Sequence, residues 1–169
     1  MRAKSIAATT RAASLDPQLT LPQRNLVVLQ TEGGDLTHAY ERAKALVNAN
    51  PNSGDAHFTL SYVLRYAGLL DEAARECDVA HSLDPTNAGL RSCALVFSEL
   101  GDFPRSEMYL NLDRGSMFSA GVHTVNLIAQ GRIDEVRPLP PEYSRRGAEI
   151  VLDGGQLIER HRVRKIYQA

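Results

Sequence analysis

GDAHFTLSYVLRYAGLLDEAARECDVAHSLDPTN, residues 54–87, decides how the chain folds. Leu60, Ser61, Val63, Leu64 and Ala67 recur at spacings that put them on one face of a helix, and Leu70, Ala73, Cys77, Ala80 and Leu83 do the same for a second helix. Gly68 stands between the two runs, where a residue without Cβ lets the first helix end in a left-handed turn. Pro85 ends the second helix and turns the chain. The unit is therefore helix, short turn, helix, proline.

The punctuation repeats on both sides. Pro17, Pro51 and Pro85 stand 34 residues apart, in Ser14-Leu15-Asp16-Pro17, Asn48-Ala49-Asn50-Pro51 and Ser82-Leu83-Asp84-Pro85. Between them fall Gly34-Asp35-Leu36, Gly68-Leu69-Leu70, Gly101-Asp102-Phe103 and Gly131-Arg132-Ile133, each a glycine with an apolar residue two positions on. A period of this length is the mark of stacked helical hairpins. Small residues recur where helices must approach closely: Ser61 and Ala94 in first helices, Ala39, Ala73 and Ser106 in second helices.

The unit 54–87 resembles a tetratricopeptide repeat through His57, Leu60-Ser61, Leu64, Gly68, Ala73, Cys77, Ala80 and Pro85. The preceding unit is similar through Gln23, Leu26-Val27, Gln30, Gly34, Ala39, Ala43, Leu46 and Pro51. The following one carries Leu90, Cys93-Ala94, Phe97, Gly101, Ser106 and Leu110 but lacks the final proline. The family's aromatic positions are lost and the chain has no Trp. The resemblance implies an all-α fold, a right-handed superhelical solenoid of antiparallel helix pairs, closed by a C-terminal helical or hairpin cap.

Laid along the chain, the expected organisation is the second helix of an incomplete repeat at 1–17, repeats at 18–53, 54–86 and 87–116, a degenerate truncated repeat at 117–137 and a cap segment at 138–169. The incomplete first unit admits two readings, a capping helix or a fragment of a longer array; the second is favoured because Ala8, Ala12 and Leu15 follow the ordinary repeat pattern. At the far end Pro138, Pro140 and Pro141 cut the last second helix short. The stretch 149–160 admits either a helix or a hairpin turned at Asp153-Gly154.

Nothing in the sequence points to chemistry. The histidines His38, His57, His81, His123 and His161 lie in different units without HExxH spacing, and neither phosphate-binding nor dinucleotide-binding glycine motifs occur. Cys77 and Cys93 stand outside any metal-ligand pattern and read as buried small apolar residues. No enzyme activity, cofactor or metal is expected. The balance of 19 basic and 20 acidic residues gives a net charge of -1, which offers no footprint for nucleic acid. Arg160, Arg162, Arg164 and Lys165 are read as a solvated helix end, with a docking patch for an acidic partner as the alternative. With no run of about 18 apolar residues and no apolar stretch behind Met1, neither a membrane span nor a secretory signal is expected, which leaves a cytoplasmic location.

What the resemblance implies about function is a concave groove lined by first helices. Its exposed positions are expected at Arg24, Val28 and Thr31, at Phe58, Tyr62, Arg65 and Tyr66, at Arg91, Leu95 and Ser98, and at Val122 and Val125. Phe58, Tyr62 and Tyr66 recur four apart, a stripe suited to an apolar or extended peptide, with Arg24, Arg65 and Arg91 for carboxylates or carbonyls. The family's two-carboxylate clamp for chaperone termini is not matched, since Val28, Thr59, Ala88 and Ser92 stand where its asparagines and partners are needed. The expected role is thus a non-catalytic scaffold binding a protein or peptide, as part of a larger signalling or assembly protein. A scaffold that self-assembles as a homo-oligomer through its solenoid ends, or a small chaperone, is the alternative.

Overall fold

The computed structural model describes residues 2–15 and 19–136, with side chains from residue 9 onward. All regular structure among the described residues is helical. The α-helices are α1 (Arg2–Leu15), α2 (Thr20–Glu32), α3 (Leu36–Ala49), α4 (Gly54–Tyr66), α5 (Leu70–Leu83), α6 (Cys93–Leu100), α7 (Phe103–Leu110) and α8 (Met117–Ala129). Short 3-10 turns occupy Ala88–Ser92, Asn111–Asp113 and Ile133–Glu135. The Pro17 signal, the three prolines at 138, 140 and 141, the cap segment and the Arg160 cluster lie outside the described residues.

The glycine punctuation does what its chemistry requires. Gly34, Gly68, Gly101 and Gly131 have φ of 85°, 78°, 78° and 77°, the left-handed region that a Cβ makes costly. After each glycine the next N–H reaches back five residues, as in Leu69 to the Leu64 carbonyl at 2.9 Å and Asp102 to that of Phe97 at 2.8 Å. These bonds satisfy carbonyls that the helix end would orphan. Helix starts are often capped by a side chain: Asp35 and Asp102 just after turn glycines, and Ser53 and Ser116 elsewhere, accept from the N–H three residues on.

The described residues divide into two compact units between Asn87 and Ala88. In the first, α2 packs on α3 and α4 on α5, with α1 against α2. Its core is built from small and branched side chains: Val27, Ala39, Ala43, Ala56, Ala73, Cys77 and Ala80 are fully buried. Gly54 shows why small residues are needed, since a Cβ there would lie 2.9 Å from the Ala80 carbonyl oxygen and 3.2 Å from Asp84 Cβ.

In the second unit α6 packs on α7 and α8 follows. Phe97 and Tyr109, both fully buried, stack 5.2 Å apart at 6°. Beside them Ser98 donates to Asn126 Oδ1 at 2.6 Å and lies 2.9 Å from the Ser106 hydroxyl, which in turn accepts from Asn126 Nδ2 at 2.9 Å. Three helices thus share one satisfied polar cluster. The first helix of the repeat expected at 87–116 begins as a 3-10 turn and becomes α-helical only at Cys93. Cys77 and Cys93 are buried as expected, but neither is a free thiol.

Candidate functional site

In the first unit, α4 starts behind Ser53, whose hydroxyl caps Ala56 N–H, and turns its apolar stripe into the core. The four-residue spacing then sets Phe58, Tyr62 and Tyr66 in one row on an adjoining face. Tyr62 and Tyr66 pack ring to ring, 5.1 Å apart at 37°, with their hydroxyls 3.3 Å apart. Tyr62 donates to Glu32 Oε1 at 3.3 Å, so the Tyr66 hydroxyl donates to the Tyr62 oxygen. The Arg65 guanidinium lies 4.5 Å from the Tyr66 ring centre and 5.9 Å from that of Tyr62.

Burial, with the Glu32 carboxylate nearby, raises the Tyr62 pKa far above the ordinary phenol value of 10.0. Tyr62 is half-buried while Tyr66 keeps 42% of its surface exposed, so Tyr62 anchors the pair and Tyr66 offers it to solvent.

Phe58 sits differently. It is 4% exposed, tilted against Tyr62 at 6.4 Å and roofed by the Arg24 guanidinium, 5.0 Å from its ring centre. Arg24 is held there by Asp55 at 3.1 Å. Phe58 is a floor beneath a cation, not an exposed contact. Val28 is half-buried on α2, and Thr31, expected in the groove, is buried with its hydroxyl on the Val27 carbonyl.

In the second unit Arg91 extends from the 3-10 turn to Asp113 at 3.2 Å, its guanidinium 5.6 Å from the Phe118 ring centre. Its Nε is buried without a hydrogen-bond partner. Leu95 is half-buried. Ser98, Val122 and Val125, expected to be exposed, are buried. Glu32 and Asp55, which orient Tyr62 and Arg24, were not singled out by the sequence. A signal for Glu32 existed: the 34-residue period sets Val28 at the place of Tyr62, and Glu32 stands one helical turn further on.

Among the described residues no group of three or more His, Cys, Asp or Glu could hold a metal ion, and no helix is long and apolar enough to cross a membrane. Paired helices closed by left-handed glycines at a near-constant period define the tetratricopeptide-repeat fold, and this chain has it. Solved structures agree. A thermophilic TPR protein of Thermus thermophilus, TTC0263, is similar with a TM-score of 0.69 and 22% identity, over 87% of this chain and 89% of that one. MamA is similar with a TM-score of 0.58 and 17% identity, over 89% of each chain. A structure of Naa15/Naa10 bound to HypK-THB matches 90% of this chain and 25% of that one, with a TM-score of 0.52 and 14% identity. At these identities the likeness is one of fold. No family model and no curated protein matches the sequence.

Proposed function

We propose that this chain is a non-catalytic protein-interaction module, and that in its first unit the binding face is the stripe of Tyr62 and Tyr66 flanked by Arg24, Val28 and Arg65, with Phe58 beneath. The observation that carries the reading is the tyrosine pair. Two aromatic rings fixed by each other, by Glu32 and by a stacked guanidinium are pre-organised, so a partner would lose little side-chain entropy in docking there. The fold is consistent with this role, and one protein of similar fold is solved as a complex with other chains. Arg91 and Leu95 are proposed as further contacts offered by the second unit.

Selection of peptides from a displayed library on the full chain tests the proposal. Peptides that dock on the first unit should lose at least fivefold in affinity for Tyr66→Ala, and any that dock on the second unit should weaken for Arg91→Glu. Unchanged affinity in both variants would remove the assignment. A second reading, self-assembly, rests on Leu15, Leu19 and Leu21, which are 77%, 49% and 63% exposed around the start of α2. Light scattering at micromolar concentration separates the two, since a monomer excludes assembly through that patch.

A further inference from the structure

His38, Arg42, Ala45 and Ala49 lie three or four residues apart along α3, so they share one flank of the helix. With Gln23 and Gln30 of α2 this flank lines an open surface cleft of about 470 Å3, a volume within the range of small-ligand sites. The two alanines are too short to fill it.

Arg42 is set into the wall with care. Its Nε donates to Gln30 Oε1 at 3.1 Å and its Nη1 to Gln23 Oε1 at 2.8 Å. Gln23 is itself 6% exposed, and its amide nitrogen donates to the Ala13 carbonyl at 3.2 Å. The guanidinium is therefore fixed by two neutral oxygens, and it pairs with no carboxylate among the described residues. Two of its five N–H groups are used, which leaves donors for a further acceptor.

The next repeat fills the same two places with different chemistry. Thirty-four residues on, His57 stands at the place of Gln23 and Glu76 at that of Arg42. There His57 Nδ1 meets Glu76 Oε2 at 2.6 Å, and Nε2 meets the Pro51 carbonyl at 2.9 Å. The second repeat carries its own carboxylate at this position. The first carries a held cation and an open cleft.

We propose that this cleft binds a monocarboxylate bearing a short apolar tail, the carboxylate on Arg42 and the tail against Ala45, Leu46 and Ala49. Glu41 also lines the cleft and disfavours acids of higher charge. The neighbouring His38 is engaged with Asp35 at 2.8 Å, so Arg42 is the cation left to take the ligand. The site is independent of the tyrosine stripe.

The test titrates the labelled full chain with 4-methylpentanoate and, separately, with 4-methylpentanamide, followed by NMR. The acid should move the Arg42 Nε–H and the Ala45 and Ala49 amide signals saturably and bind at least tenfold tighter than the amide. A third arm uses acetyl-Ala-Ala-Leu with a free terminus. Tighter binding than the small acid assigns the carboxylate to a chain end, weaker binding to a free acid. Arg42→Gln should lose at least tenfold. Ala45→Phe, an exposed position that leaves Arg42 and both glutamines in place, should block binding with helical content unchanged. Equal binding of acid and amide, or wild-type binding by the Ala45→Phe protein, would overturn the proposal.

Discussion

The hairpins α4–α5 and α6–α7 share a turn and differ in almost everything it joins. Gly68 and Gly101 have the same φ of 78°, and each is followed by the same backward hydrogen bond. Yet α4 and α5 run 13 and 14 residues, whereas α6 and α7 run 8 each. The long pair closes on fully buried Ala73 and Ala80, with the Ser61 hydroxyl 3.0 Å from Cys77 Sγ. The short pair fills its interior with the Phe97–Tyr109 stack, covered by the Arg105 guanidinium 4.0 Å from the Phe97 ring centre, and with the Ser98–Ser106–Asn126 cluster. The turn is a local device that needs one residue type. Filling the core is a collective problem: long helices meet it with small residues in close contact, short ones with large rings and shared hydrogen bonds.

That difference predicts where the molecule breaks most easily. Phe97→Ala should cost about 3–5 kcal/mol in urea unfolding, because the ring has no exposed surface and its stacking partner cannot follow it. A loss under about 1 kcal/mol would mean that the short hairpin does not depend on its aromatic pair.

In the long hairpin the sensitive position is a glycine. Gly54→Ala should cost about 1–3 kcal/mol, since its Cβ would press on the Ala80 carbonyl and Asp84 at 2.9 and 3.2 Å and force the helices apart. Gly68→Ala should cost less, about 1–2 kcal/mol, from backbone strain alone, because nothing lies within 4 Å of its added Cβ. Reversal of that order in thermal melts would show that helix approach is not the limiting constraint.

The smallest effect concerns alkaline stability. The Tyr62 pKa is raised in the folded state above its unfolded value of 10.0, chiefly by burial. Its contribution is therefore fully present below pH 10 and is lost as pH rises beyond it, where the unfolded chain ionises and the folded one does not. Tyr62→Phe should flatten the fall in stability between about pH 10 and 11. An unchanged slope would mean that the ring ionises in place.

The parts legible in the sequence are those that single residues dictate. Each of the four turn glycines does a job that other side chains resist, so its spacing gives the hairpins away, and small residues such as Ala39 and Ser106 mark close contacts. What the sequence hid depends on partners far along the chain. Phe58 shares a stripe with Tyr62 and Tyr66, and only Arg24 and Asp55, held in place by tertiary packing, distinguish the buried ring from the exposed one. Ser98 reads as a surface serine until Ser106 and Asn126 are brought beside it from two other helices. The 3-10 start at Ala88–Ser92 has no signal that distinguishes it from an ordinary helix.

The claim on which the functional account rests is that Tyr62 and Tyr66 form a rigid, partner-ready face. Backbone NMR of the full chain, titrated with a peptide selected from the library, measures this directly. The account predicts that the signals moving most belong to residues around Tyr62, Arg65 and Tyr66, and that Tyr66→Ala abolishes those shifts while the rest of the spectrum is retained. Shifts that avoid α4 altogether, with wild-type affinity in Tyr66→Ala, would contradict it.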